Sequence, residues 1–224
     1  MVPFALRQGV RFNKMPTTRI GIFARYSLTI RMHEPLLKYI TDHSTTPLTV
    51  SDMDVIKEVF TPKKLRKRQY FLQEGEVCKY AAFIVKGAMR KYSVDVKGVE
   101  HVMTLYIENW WVSDRESYVM LTPSLYNIDA WENSEVLVVT RADFLGRLGS
   151  IPAINEMART MDDNHAIAAQ KRMASISLSA EERYTALIKT YPEFLQRFPQ
   201  HIIASYLGIT KETLSRIRSN AVKK

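Results

Sequence analysis

The sequence predicts an α+β protein: an antiparallel β-barrel or jelly roll flanked by helices, then one long helix, then two short helices joined by a tight turn. Three observations lead there. Between Leu65 and about Phe144, short alternating segments are broken by turn residues, Gln73-Glu74-Gly75-Glu76, Lys86-Gly87 and Asp95-Val96-Lys97-Gly98. After Ser150-Ile151-Pro152 the pattern turns helical and runs to about Ser177, roughly 40 Å at the standard rise. Residues 198–218, FPQHIIASYLGITKETLSRIR, then carry two helical patterns divided at Gly208.

In chain order, residues 1–31 hold six cations (Arg7, Arg11, Lys14, Arg19, Arg25, Arg31) and no acid, with no clean helical or strand period. They are expected to be a basic leader, disordered or lying ahead of the true start near Met32. A basic arm or targeting peptide is the functional alternative, and no run reaches transmembrane length. Pro35 to Ile40 and Ser51 to Phe60 read as helices, with Ile56, Val59 and Phe60 facing inward. The clearest strands are Ala82–Val85, Met89–Tyr92, Val102–Tyr106 and Val136–Val139. In the long helix, Ile154, Met157, Ala158, Met161, His165, Ala168 and Ala169 form a near-heptad stripe that one small barrel leaves partly uncovered, so dimerisation along it is expected. Packing on the helix's own barrel is the alternative. Ser179-Ala180-Glu181-Glu182 has capping-box spacing, and Tyr184, Leu187 and Ile188 supply the inward face that follows.

The last helical pair is the most informative segment. Ile202, Ile203 and Leu207 face a core, Gly208 permits the turn, and Thr210 suits an N-cap. At about 100° per residue, Lys211, Glu212, Ser215 and Arg216 share one side of the second helix, opposite Leu214 and Ile217. Such a face fits the major groove. An Arg guanidinium grips guanine O6 and N7 together, and a Glu carboxylate accepts from cytosine N4. Gln200, Thr210 and Thr213 are placed to hold phosphates, fixing register without reading sequence. An amphipathic hairpin with a solvated charged face is the plain alternative.

Composition is compatible with that reading. The 224 residues are 46% hydrophobic, the formal net charge is +9 and the pI near 9.6. Residues 196–224 hold Arg197, Lys211, Arg216, Arg218, Lys223 and Lys224 against one acid, Glu212, so positive charge gathers where DNA would lie. The single cysteine, Cys78, excludes an intramolecular disulfide framework and a multi-cysteine cluster, and points to a cytoplasmic protein. His33, His43, His101, His165 and His201 lack metal-ligand spacing.

The run Ala204-Ser205-Tyr206-Leu207-Gly208-Ile209-Thr210-Lys211-Glu212-Thr213-Leu214-Ser215-Arg216 resembles the helix-turn-helix of the Crp/Fnr bacterial transcription regulators, including the Glu-x-x-Ser-Arg of its recognition helix. The order Phe71 to Gly75, Ile84 to Gly87 and then Gly98 is similar to the cyclic-nucleotide-binding fold of the same family's sensor half. Together the resemblances cover about residues 35–220. They imply a cyclic-nucleotide-binding-like jelly-roll sensor domain over 32–149, a dimerisation helix over 150–177 and a winged helix-turn-helix over 178–224. They also imply base contacts from Lys211, Glu212, Ser215 and Arg216, and backbone contacts from Gln200, Thr210 and Thr213.

The sensor's ligand site departs from the family pattern. Where the phosphate cassette gives Phe-Gly-Glu this chain has Trp111-Val112-Ser113, and where it gives Pro-Arg it has Pro123-Ser124. Val112 puts a branched side chain at the approach point, and Ser124 brings no charge for a phosphate. The pocket marked by Trp111, Val112, Ser113, Ser124 and Tyr126 is therefore expected to be degenerate, without tight cyclic-AMP binding. Trp110, Trp111, Tyr118, Tyr126 and Trp131 are expected to fill it or to line it for another small effector. Asp114 and Arg115 are candidates to bind a polar ligand, although charges beside a loop are ordinarily solvated, and the pair Asp162-Asp163 reads as a solvated helix surface.

Three classes follow. The first is a homodimeric regulator of double-stranded DNA, with RNA polymerase and an unidentified effector as further candidate partners, no membrane association, no catalysis and no cofactor or metal. The second is a cyclic-nucleotide-responsive switch on the same scaffold. The third is a cupin-like metal enzyme, for which Gly98-Val99-Glu100-His101-Val102-Met103 lacks the needed second His.

Overall fold

The computed structural model describes residues 32–222, so the expectation for residues 1–31 falls outside it. Helix α1 covers residues 32–42 and α2 Val50–Val59. Thr49 caps α2 and Asp52 reciprocates in a full capping box. Eight strands follow: β1 (Thr61–Leu65), β2 (Tyr70–Leu72), β3 (Tyr80–Lys86), β4 (Met89–Val94), β5 (Glu100–Tyr106), β6 (Trp111–Val112), β7 (Asn127–Ala130) and β8 (Ser134–Thr140). Short helix α3 (Arg115–Met120) interrupts them after β6, and α4 (Arg141–Leu145) follows β8.

The strands form two antiparallel four-stranded sheets, ordered β1-β8-β3-β6 and β2-β7-β4-β5. This is the jelly roll read from the alternation. Leu72, Cys78, Ala82, Ile84, Met89, Tyr106, Val112, Ile128 and Val136 interdigitate between the sheets. On the outer face of the first sheet, Phe83, Leu137 and Val139 meet Leu36 and Ile40 of α1 and Ile56, Val59 and Phe60 of α2, as the inward face read from the sequence requires. Gly87 makes the tight β3–β4 turn. Its φ of +107° disfavours a side chain, and an added Cβ would collide with Ser134.

Helix α5 runs Pro152–Ala174 and closes in a 3₁₀ turn, Ser175–Ser177. Pro152 stands in the first turn as the sequence indicates, but Ser150 is not the cap. Ile151 holds that position, and the Ser150 hydroxyl donates back to the Arg147 carbonyl (3.1 Å). Ala153, Ile154 and Met157 bury into the α1/α2 core, whereas every residue from Asp162 to Ala174 is exposed. The stripe therefore splits. Its first two turns belong to the protomer, and Ala168 and Ala169 face outward.

Glu156 fastens the start of α5 to the loop between α1 and α2. Its carboxylate accepts from the hydroxyls of Ser44 (2.9 Å), Thr45 (3.0 Å) and Thr46 (2.5 Å) and the amides of Thr45 (2.7 Å) and Thr46 (3.2 Å). These donors, the Thr46 hydroxyl foremost, pull its pKa from 4.5 to about 2. A depressed carboxylate contributes stability that is whole above pH 4.5 and fades as pH falls toward 2. Glu156→Gln is expected to lower the melting temperature at pH 7, with the gap from wild type closing across that window. A gap independent of pH would contradict it.

The C-terminal part is helical: α6 (Ala180–Thr190), α7 (Phe194–Arg197), α8 (Gln200–Leu207) and α9 (Lys211–Val222). Ser179 and Glu182 form the expected capping box on α6. The wing has no counterpart among the described residues, because all the strands precede Arg141 and α7 stands between α6 and α8. Pro192 and Pro199 flank α7 and lack the N–H that a strand ladder needs.

Candidate nucleic-acid interface

Helices α8 and α9 meet as the apolar spacing requires. Ile202, Ile203, Leu207, Leu214 and Ile217 are buried together, and Gly208 turns the chain in the left-handed region at φ +67°. Thr210 caps α9 by accepting from the Thr213 N–H (3.2 Å), and its hydroxyl pairs with that of Thr213 at 3.1 Å. Lys211, Glu212, Ser215 and Arg216 are all exposed on the outer side of α9. Glu212's own backbone N–H, then the Thr210 hydroxyl, hold its carboxyl below the usual range, so it is an ionised acceptor. Gln200 opens α8, half-buried, and with Arg218 borders a groove of about 110 Å³ floored by Phe198, Ile203 and Leu214.

Arg197 is a correction to the charge argument. It does not join the outer face of α9. Its guanidinium turns inward onto two sensor carboxylates, Glu132 (2.9 and 2.7 Å) and Glu108 (2.7 and 3.2 Å).

The pocket residues separate in the same way. On β6, alternation sends Val112 between the sheets and Trp111 outward, where its ring meets Phe83, Phe60, Phe144 and Tyr39 edge-on. Trp110 and Trp131 point toward the C-terminal helices, onto Tyr191 and Phe194 and onto Phe198 and His201. The aromatic residues read as pocket filling therefore largely serve the outer core and the junction between the two halves. What occupies the cassette is a polar cluster.

Asp114, read as a solvated loop charge, is only 3% exposed. It accepts from the Ser124 hydroxyl (2.8 Å) and lies 3.7 Å from the Lys91 ammonium, which rests over the Tyr126 ring at 4.9 Å. Ser124 also joins the backbone of Tyr126, while Ser113 beside Asp114 is half-buried. Burial lowers the Lys91 pKa, and Asp114 acts against that shift. Arg115 and Asp162 are not merely solvated either, since they pair at 2.6 Å between α3 and α5. Lys91 carried no usable signal in the sequence. A lysine on an alternating strand is ordinarily a surface residue, and only the fold carries Asp114 to it.

The cyclic nucleotide-binding domain family model matches residues 62–149. Transcriptional regulatory protein Btr of Bordetella pertussis is 30% identical over 102 residues, 40% of this chain and 42% of that protein. Transcriptional activator protein Anr of Pseudomonas aeruginosa is 22% identical over 187 residues, 76% of this chain and 74% of Anr. FixK2 of Bradyrhizobium japonicum has the same fold, with TM-score 0.63 and 21% identity over 74% of this chain and 85% of FixK2. These similarities agree with the resemblance to the Crp/Fnr regulators read from the sequence. Both relatives are named as transcriptional regulators. In the cassette, Asp114 already accepts from Ser124 and faces the Lys91 ammonium. The segment over α8 and α9 keeps the polar and apolar faces expected of it.

Proposed function

We propose that this chain is a sequence-specific DNA-binding regulator that acts in the cytoplasm as a homodimer on a near-palindromic operator and does not respond to cyclic AMP. One observation carries the DNA reading: Leu214 and Ile217 anchor α9 while Lys211, Glu212, Ser215 and Arg216 stand together in solvent. Arg216 and Glu212 are one helical turn apart, so a single G·C pair is within reach of both. Gln200, Thr210 and Thr213 lie at helix N-termini and serve as phosphate contacts.

The bare half of α5 supports the dimer. An exposed helical stretch of this length is marginal in water, and a two-fold partner would cover Met161, His165, Ala168 and Ala169. Two copies of α9 would then stand about 34 Å apart, one turn of DNA. No helix among the described residues is long and apolar enough to cross a membrane.

Asp114 supports the lack of a cyclic-AMP response. A ligand phosphate in the cassette would meet a buried carboxylate, with Lys91 already committed to it, and would clash with Val112 at the point of approach. Calorimetry with cyclic AMP is expected to give no binding heat, and saturating cyclic AMP to leave operator affinity unchanged. Binding at micromolar concentration or tighter would overturn this part. Selection of bound fragments from random DNA tests the regulator itself: enrichment of a palindromic motif is expected, and failure to bind any duplex at low salt would refute it.

A further inference from the structure

Strand β5 is the outer strand of its sheet, so its free edge presents unpaired backbone groups. The C-terminal helices cover that edge. The Val102 N–H donates to the Ser205 hydroxyl oxygen (2.9 Å), and Ser205 donates to the Glu100 carbonyl (3.1 Å). Arg172 of α5 donates to the Met103 carbonyl (2.7 Å) and lies over the Tyr206 ring. Beneath these contacts one apolar cluster spans both halves, joining Tyr92, Val102, Leu105 and Ile107 of the barrel side to Phe194 and Phe198 beside the helix pair.

At the far side of this junction Arg197 grips Glu108 and Glu132 with forked hydrogen bonds, and its carbonyl accepts from the Trp131 indole N–H (3.2 Å). Burial alone would raise the Glu108 pKa. Arg197 and the Gly87 N–H, which donates at 2.7 Å, lower it instead, so the clamp is ionic at neutral pH. The docking is not a lid. Lys211, Glu212, Ser215 and Arg216 remain exposed while it is made.

We infer that the Arg197 clamp on Glu108 and Glu132 sets operator geometry: it fixes each DNA-reading helix pair rigidly to its own sensor barrel and so determines which half-site spacing the dimer accepts. Without it the helix pair would be held through the segment after α5, exposed over residues 176–179, the edge contacts and the shared apolar cluster. A looser mount lets each recognition helix sample more orientations. Affinity for the best spacing then falls because the second head arrives at lower effective concentration, while poor spacings lose less. The sensor, by this inference, is a fixed mount for the reading heads. It rests on the proposal that the chain reads DNA as a dimer.

The test uses the full chain, the operator selected by the wild type, a series with its centre lengthened or shortened by one to three base pairs, and a single half-site. The wild type is expected to prefer one spacing sharply. Arg197→Ala and the double variant Glu108→Gln/Glu132→Gln are expected to lose roughly tenfold at that spacing, to flatten the profile and to leave half-site affinity within about twofold. An unchanged spacing profile in the double variant overturns the inference, as does tighter binding at the best spacing, which would make the clamp inhibitory. Glu108 and Glu132 lie in the sensor, so the double variant decides even if Arg197→Ala unfolds the head. Failure of the wild type to bind the half-site would sink the DNA reading instead.

Discussion

Arg216→Ala is expected to abolish discrimination at one base pair in each half-site and to weaken the full operator strongly. A bidentate Arg–guanine contact is worth about 1–3 kcal/mol of discrimination, roughly five- to 150-fold. A two-fold dimer carries the substitution twice, at sites far enough apart to be additive, so the whole operator loses about 2–6 kcal/mol. Folding should be untouched, because Arg216 is exposed and alanine is a good helix former. The measurement is a pair of titrations, on the selected operator and on the same operator with the contacted G·C pairs changed to A·T. The wild type should separate the two, and the variant should bind both alike. Thr213→Ala provides the contrast. Thr210 still caps the helix through the backbone N–H of residue 213, so the change removes the Thr210–Thr213 hydroxyl pairing and a phosphate contact but no base contact, and every sequence should weaken alike. Equal discrimination by wild type and Arg216→Ala would remove α9 from the role of reader.

The helix pair was legible because its signals are local. Gly208, the Thr210 cap and the opposition of Leu214 and Ile217 to Lys211, Glu212, Ser215 and Arg216 all lie within a dozen residues of one another, and backbone geometry links them directly. The jelly roll was legible for the same reason, since alternation and turn residues mark each strand without reference to its partner. Arg197 was misplaced because its partners Glu108 and Glu132 are 89 and 65 positions away. Charge counted along the chain cannot separate a cation turned outward from one folded back on the barrel. Trp111 failed in another way. One register step on β6 divides it from Val112, and a two-residue strand is too short for periodicity to tell which of the pair points inward. Asp114 was hidden by its type, because an acid beside a loop is solvated unless the fold brings it a cation, and Lys91 comes from a different strand.

The second large effect belongs to α5. Ala168→Glu is expected to convert the protein from dimer to monomer and to reduce affinity for a palindromic operator to that of a half-site, a loss of about 10²- to 10⁴-fold as avidity disappears. The protomer has no reason to object. Ala168 is exposed, glutamate is a good helix former, and the apolar anchors of α5, Ile154 and Met157, lie more than two turns away. In a two-fold seam, however, the two introduced carboxylates approach each other across a closely packed small-residue contact, where like charges repel and lose water. Sedimentation and thermal melting separate the outcomes. A monomer with an intact folding transition and wild-type half-site affinity supports dimerisation along α5. A variant that remains a dimer and binds the palindrome unchanged places the two-fold contact elsewhere on the chain, and the spacing of the reading helices would then be set by a different surface.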